Sequence, residues 1–105
     1  MICEAWNIEH DRRYADFLVM AEREKKREDK IDFVVIATPN ANHYLAAKAF
    51  LNAGIHVVCD KPLCIDCREG EELEEVAREK GLLFMVTYTY MGHVTAKSIC
   101  RNIKA

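Results

Sequence analysis

Three short runs of apolar, mostly β-branched residues alternate along the chain with longer stretches of helical periodicity. The first run, Ile31 to Ala37, is apolar at nearly every position and closes at Thr38-Pro39-Asn40. A strand apolar on both sides predicts a parallel sheet covered on both faces, and Pro39 ends it. Leu45, Ala46, Ala49, Phe50 and Ala53 then recur at i, i+1, i+4, i+5 and i+8, a helical face opening near Asn40 or Asn42 and stopping at Gly54 in the C′ position. A second run, Ile55 to Cys59, ends at Asp60-Lys61-Pro62, because proline cannot continue a strand ladder. The next helix opens at Asp66, with Glu69 three residues on. It presents Leu73, Val76, Ala77 and Lys80 on one face and closes at Gly81. Leu82 to Val86 reads as a third strand running into Thr87-Tyr88-Thr89-Tyr90, and a helix from about Val94 to Ile103 follows Gly92. Upstream, Phe17, Met20, Ala21 and Glu24 stand at i, i+3, i+4 and i+7 behind Asp16 as N-cap. Residues 22–30 are all charged, five basic and four acidic, and read as a solvated helix end.

A helix followed by β-α-β-α-β-α with short connections predicts an α/β fold with right-handed crossovers in a parallel sheet. Ligands of such sheets sit beyond the carboxyl ends of the strands. Functional side chains are therefore sought in Thr38 to His43, Asp60 to Leu63 and Thr87 to His93.

Composition narrows this picture. At 105 residues and 50% apolar content the chain holds one modest core, and a net charge of -2 gives no attraction to nucleic acid or an anionic membrane. No apolar run exceeds five residues, so neither a bilayer span nor a signal-peptide core is expected, and the expected location is cytoplasmic. Five cysteines are an odd number and read as reduced thiols. The four glycines lie more than ten residues apart, which excludes a G-x-G-x-x-G or Walker loop within this sequence.

Asp32 to Asn40 (DFVVIATPN), His43, Ala53 to Leu63 (AGIHVVCDKPL) and the helix ending at Gly81 closely resemble the Gfo/Idh/MocA family of NAD(P)-dependent oxidoreductases. The likeness runs from about Arg13 to the C-terminus, with Asp60 where the family usually has glutamate. The resemblance implies a partial Rossmann-like doubly wound parallel sheet. Residues 1–105 would be the second half of a dinucleotide-binding domain, with the glycine-rich half and the α/β substrate domain absent. It implies NAD or NADP as cofactor for the full-length family member, weak or no binding by this chain alone, and hydride transfer to or from a sugar, polyol or related hydroxyl compound.

Within that frame Lys61 is the candidate catalytic residue. An ammonium held at a strand's carboxyl end by Asp60 and rigid Pro62 polarises a hydroxyl or carbonyl beside the nicotinamide, whereas outside the family an Asp-Lys-Pro turn is an ordinary solvated turn. Thr38, Pro39, Asn40 and His43 form the loop and first helical turn expected to line the cofactor; the bland alternative is that Asn40 caps the helix and His43 packs. Asp60, Lys61, Pro62 and Tyr90 complete the expected cofactor contacts. Cys64 and Cys67 form a C-x-x-C with Cys59 and His56 nearby, but one cysteine pair is half of a structural zinc site. The expected partners are a small-molecule substrate and a second copy of the chain, since the run Ile31 to Ala37 would border an absent strand and present an open edge. The alternative to an oxidoreductase is a catalytically inactive Rossmann-derived self-association or interaction module.

Overall fold

The computed structural model describes residues 2–88, in the order α1 (Ile2–Ala5), α2 (Phe17–Lys25), β1 (Phe33–Ile36), α3 (His43–Asn52), β2 (His56–Asp60), α4 (Cys67–Glu79) and β3 (Phe84–Thr87). Short 3₁₀ turns at His10–Arg12 and Asn40–Asn42 precede α2 and α3. The expected helix from Val94 to Ile103 lies outside the described residues.

Local chemistry explains most helix ends. The Asp16 carboxylate accepts from the amides of Leu18 and Val19 at 2.6 and 3.3 Å, and Asp66 accepts from Arg68 N at 2.8 Å, satisfying amides that have no intrahelical partner. Glu69 reaches back to Ile65 N at 3.3 Å and completes the start of α4. Both α3 and α4 end in Schellman motifs. Gly54 (φ 77°) donates to Leu51 O and Ile55 to Phe50 O; Gly81 (φ 63°) donates to Arg78 O and Leu82 to Ala77 O. The left-handed conformation is open to glycine without Cβ strain.

The sheet is parallel throughout in the order β1-β2-β3, with Val34 opposite Val57 and Cys59 opposite Val86. α3 rests on β1 and β2 and packs against α2 and α4. The core joins Ala46, Ala47, Phe50 and Leu51 of α3, Leu73 and Ala77 of α4, and Ile36, Val57 and Cys59 of the strands. Alanines at two of these α3 positions let the helix approach the sheet closely.

One expectation is corrected here and another is qualified. Among the described residues the sheet is covered on one face only. Phe33, Val35 and Met85 on the other face remain 56%, 60% and 58% exposed, because successive right-handed crossovers along β1-β2-β3 place α3 and α4 on the same side. The charged run is a largely exposed helix end, as expected, except at one position. α2 stops at Lys25, and Glu24 is 1% exposed, accepting from Tyr14 Oη at 2.8 Å, Ile31 N at 3.1 Å and Arg12 Nη2 at 3.3 Å. Arg27 folds back onto Asp11 and Asp29, each at 2.8 Å. Burial and the bond to Glu24 push the Tyr14 hydroxyl above its ordinary pKa.

Candidate functional site

The three parallel strands deliver their carboxyl ends to one edge of the molecule, and side-chain hydrogen bonds tie those ends together. Strand register sets Asp60 opposite Thr87. Asp60 Oδ1 accepts from Thr87 Oγ1 at 2.7 Å and from the backbone N–H of Lys61 at 2.9 Å. The Thr87 hydroxyl, followed by that amide, holds the Asp60 carboxyl below its ordinary pKa.

Asp60 thus fixes the backbone of Lys61, not the ammonium as expected. The Lys61 side chain is exposed, and its ammonium has no hydrogen-bond or ion-pair partner among the described residues. The following Lys61–Pro62 peptide is cis.

His43 opens α3. Its ring is 1% exposed, with Nδ1 2.7 Å from Pro62 O and Nε2 2.8 Å from Thr38 O. Both ring nitrogens thus lie within hydrogen-bond distance of backbone carbonyls. The ring joins the β1–α3 loop to the β2–α4 loop.

Thr38, Pro39 and Asn40 are exposed at the end of β1. Pro39 occupies the N-cap of the Asn40–Asn42 turn and Asn42 that of α3, neither with a side-chain cap bond, so Asn40 does not serve as the helix cap. A hollow of about 240 Å³ opens beside these residues, lined by Asn40, Ala41, Tyr44 and Leu45 on one side and Cys64, Ile65 and Glu69 on the other. Its Tyr44 wall is held by Glu72, which also pairs with Lys48 at 2.6 Å. Tyr90 lies outside the described residues.

Cys59, Cys64 and Cys67 are free thiols. Burial pushes Cys59 up to about 11 and raises Cys64 as well, which disfavours the nucleophilic thiolate. Among the described residues no three His, Cys, Asp or Glu side chains converge to hold a metal ion, and no helix is long and apolar enough to cross a membrane. Thr87 was inside an expected segment without being singled out. The usable signal was register: aligning the second and third apolar runs as parallel neighbours brings Thr87 beside Asp60.

A parallel α/β sheet with hydrogen-bonding side chains gathered at its carboxyl edge is the arrangement of nucleotide-binding α/β proteins. Comparison with known proteins makes the class specific. The profile of the Gfo/Idh/MocA oxidoreductase family, NAD-binding Rossmann fold, matches residues 2–88, and the chain belongs to that family. The oxidoreductase YfiI of Bacillus subtilis strain 168 is 43% identical over 86 residues, covering 82% of this chain and 22% of YfiI. The scyllo-inositol 2-dehydrogenase (NADP(+)) IolW of the same strain is 40% identical over 76 residues, covering 71% of this chain and 21% of IolW. Among solved structures, the inositol dehydrogenase homolog from Azotobacter vinelandii complexed with NADH and myo-inositol superposes with a TM-score of 0.84. It is 37% identical, and the match covers 97% of this chain and 27% of that one. The chain therefore spans about a quarter or less of the length of these relatives.

Proposed function

We propose that this chain contributes the second half of the cofactor-binding domain of an NAD(P)-dependent dehydrogenase acting on a sugar, polyol or related hydroxyl compound. The observation that carries the reading is the Lys61 ammonium at the carboxyl end of β2, without a hydrogen-bond or ion-pair partner among the described residues, on a backbone pinned by Asp60 and Thr87. The side chains present suit the nicotinamide and ribose end of a dinucleotide: Thr38 and Asn40 are exposed donors and acceptors at the end of β1. The pyrophosphate cradle has no counterpart among the four separated glycines. When bound, the nicotinamide supplies the hydride acceptor or donor. In reduction the Lys61 ammonium would donate a hydrogen bond and then a proton to the carbonyl oxygen; in oxidation the same nitrogen, as the neutral amine, would take the hydroxyl's proton. Asp60 and Pro62 set the path of the backbone on either side of it.

A hybrid tests the assignment. Residues 2–88 replace the matching segment of the Azotobacter vinelandii homolog, and turnover of myo-inositol with NAD is followed at 340 nm (nicotinamide absorbance at about that wavelength reports hydride transfer). An active hybrid is expected, with Lys61→Ala lowering turnover by roughly 10²-fold or more, the usual scale for a positioned acid or base. An active hybrid indifferent to Lys61→Ala overturns the catalytic role.

A second reading, an inactive self-association module, is favoured by one observation. Among the described residues β1 pairs only with β2, and Phe33, Val35, Leu83 and Met85 expose an apolar surface on the uncovered face of the sheet.

A further inference from the structure

Burial alternates along β2. Val57 and Cys59 lie in the core beneath α3, which puts His56, Val58 and Asp60 on the uncovered face of the sheet. Register sets Val58 between Val35 and Met85, and Asp60 beside Thr87. The uncovered face is thus apolar through Val35, Val58 and Met85 and turns polar at its carboxyl end, where a carboxylate meets a hydroxyl. Asp60 and Thr87 are both half-buried, and a carboxylate bordering apolar side chains needs donors. Its Oδ1 takes two, the Thr87 hydroxyl at 2.7 Å and the backbone N–H of Lys61 at 2.9 Å.

The two donors are rooted in different places. The Lys61 amide adjoins Asp60 in the chain, whereas the Thr87 hydroxyl comes from the neighbouring strand, 27 residues on. The short aspartate side chain serves both with one oxygen. The glutamate usual at this position in the family carries its carboxylate one methylene further out, past an adjacent amide and past a hydroxyl standing level on the next strand. Aspartate at 60 and threonine at 87 are therefore matched in length. Thr87 is β-branched, so few χ1 rotamers are open to it and its hydroxyl is held in place. Among the described residues it is the side-chain donor to Asp60, since the Lys61 ammonium has no partner there. Of the groups that favour the ionised carboxyl, the Thr87 hydroxyl comes first and the Lys61 amide second, ahead of the Lys61 charge. Without the hydroxyl the carboxylate keeps one amide of an exposed residue and is free to turn to water.

We propose that Thr87 is a positioning residue: its hydroxyl holds Asp60 in the rotamer from which the carboxylate binds the Lys61 N–H, and so sets the direction in which the chain leaving β2 carries the Lys61 ammonium. The relay runs from β3 across to β2 and then along the backbone, with no contact between Thr87 and the ammonium. The consequence for a reacting oxygen rests on the dehydrogenase reading; the relay itself does not.

Two measurements test it, and the first needs neither cofactor nor activity. In the ¹⁵N-labelled full chain, Thr87→Val keeps the side-chain shape and removes the hydroxyl. The Lys61 amide proton is then expected to move upfield and to exchange with solvent roughly tenfold faster, the scale of losing a hydrogen bond to a charged group. Thr87→Ser is expected to retain both properties. A Lys61 amide indifferent to Thr87→Val overturns the proposal; should that variant fail to fold, Thr87→Ala is read in the same way. In the hybrid enzyme, Thr87→Val is expected to lower kcat by roughly tenfold, as a misplaced reacting group does, with KM for NAD unchanged. Thr87→Ser is expected to recover kcat, and Thr87→Val to cost nothing further once Lys61 is replaced by alanine, because the two act through one path. An unchanged kcat, or the full loss repeated in the Lys61→Ala background, overturns the positioning role. A hybrid that is inactive or indifferent to Lys61→Ala counts against the dehydrogenase reading instead, and the amide measurement then decides the relay by itself.

Discussion

Glu24→Ala removes the shared acceptor of three donors at once: Tyr14 Oη, Arg12 Nη2 and the backbone N–H of Ile31. The carboxylate is 1% exposed, so water does not replace it without a rearrangement of α2 against the chain entering β1. Breaking a buried charged pair costs about 3–5 kcal/mol when the partner charge is stranded. Arg12 is not stranded, because it also donates to Asp29 O and its side chain is 28% exposed, which puts the expected loss near the lower end, about 3 kcal/mol. Glu24→Gln keeps the shape and one acceptor oxygen while turning an NH₂ toward a donor, for a loss of about 1–2 kcal/mol. Urea unfolding followed by circular dichroism, at one fixed protein concentration, measures both. A 3 kcal/mol loss lowers the midpoint by roughly 1–3 M at slopes of about 1–3 kcal/mol/M. A Glu24→Ala loss below about 1 kcal/mol, within what a solvated surface change costs, refutes the reasoning. So does an alanine variant no less stable than the glutamine one.

Further outcomes follow from the strand ends and the open face. Because the Thr87 hydroxyl is the largest cause of the lowered Asp60 pKa, Asp60 contributes stability above the ordinary carboxylate range and loses it as pH falls through its lowered value. Thr87→Val therefore moves the Asp60 titration upward, as read from its carboxyl ¹³C resonance; an unchanged titration contradicts the assignment. Isothermal titration of the chain with NAD and NADP is expected to give dissociation constants above ~100 μM, weaker than about -5.5 kcal/mol, for want of any glycine pair to cradle a pyrophosphate. A tighter constant shows that another element holds the phosphates. Sedimentation at micromolar concentration is expected to show self-association through β1 and the uncovered face, and Val35→Lys, at a position 60% exposed, to reduce it. A well-folded monomer of the unchanged sequence rules that out.

Sequence alone determined what short-range chemistry controls. Asp16 and Asp66 bond amides two or three residues on, and Gly54 and Gly81 close their helices through carbonyls three to five residues back, so these boundaries are written within single turns of chain. The runs around Phe33–Ile36, His56–Asp60 and Phe84–Thr87 were legible as parallel strands from their continuous apolar character, and with them the edge where Thr38, Asn40, Asp60 and Lys61 gather. Tertiary structure decided the rest, because the partners lie far apart along the chain. Glu24 meets a tyrosine ten residues away and an arginine twelve away, which turns a residue of a charged run into a buried anchor. Asp60 meets Thr87 across 27 residues through strand register, and spends its carboxylate on the backbone of Lys61 instead of the ammonium. His43 joins carbonyls five and nineteen residues away, which no local pattern encodes. The uncovered sheet face arises in the same way: alternating strands and helices predict crossovers, but which side each helix covers depends on the order β1-β2-β3, and strand order is a property of the assembled sheet.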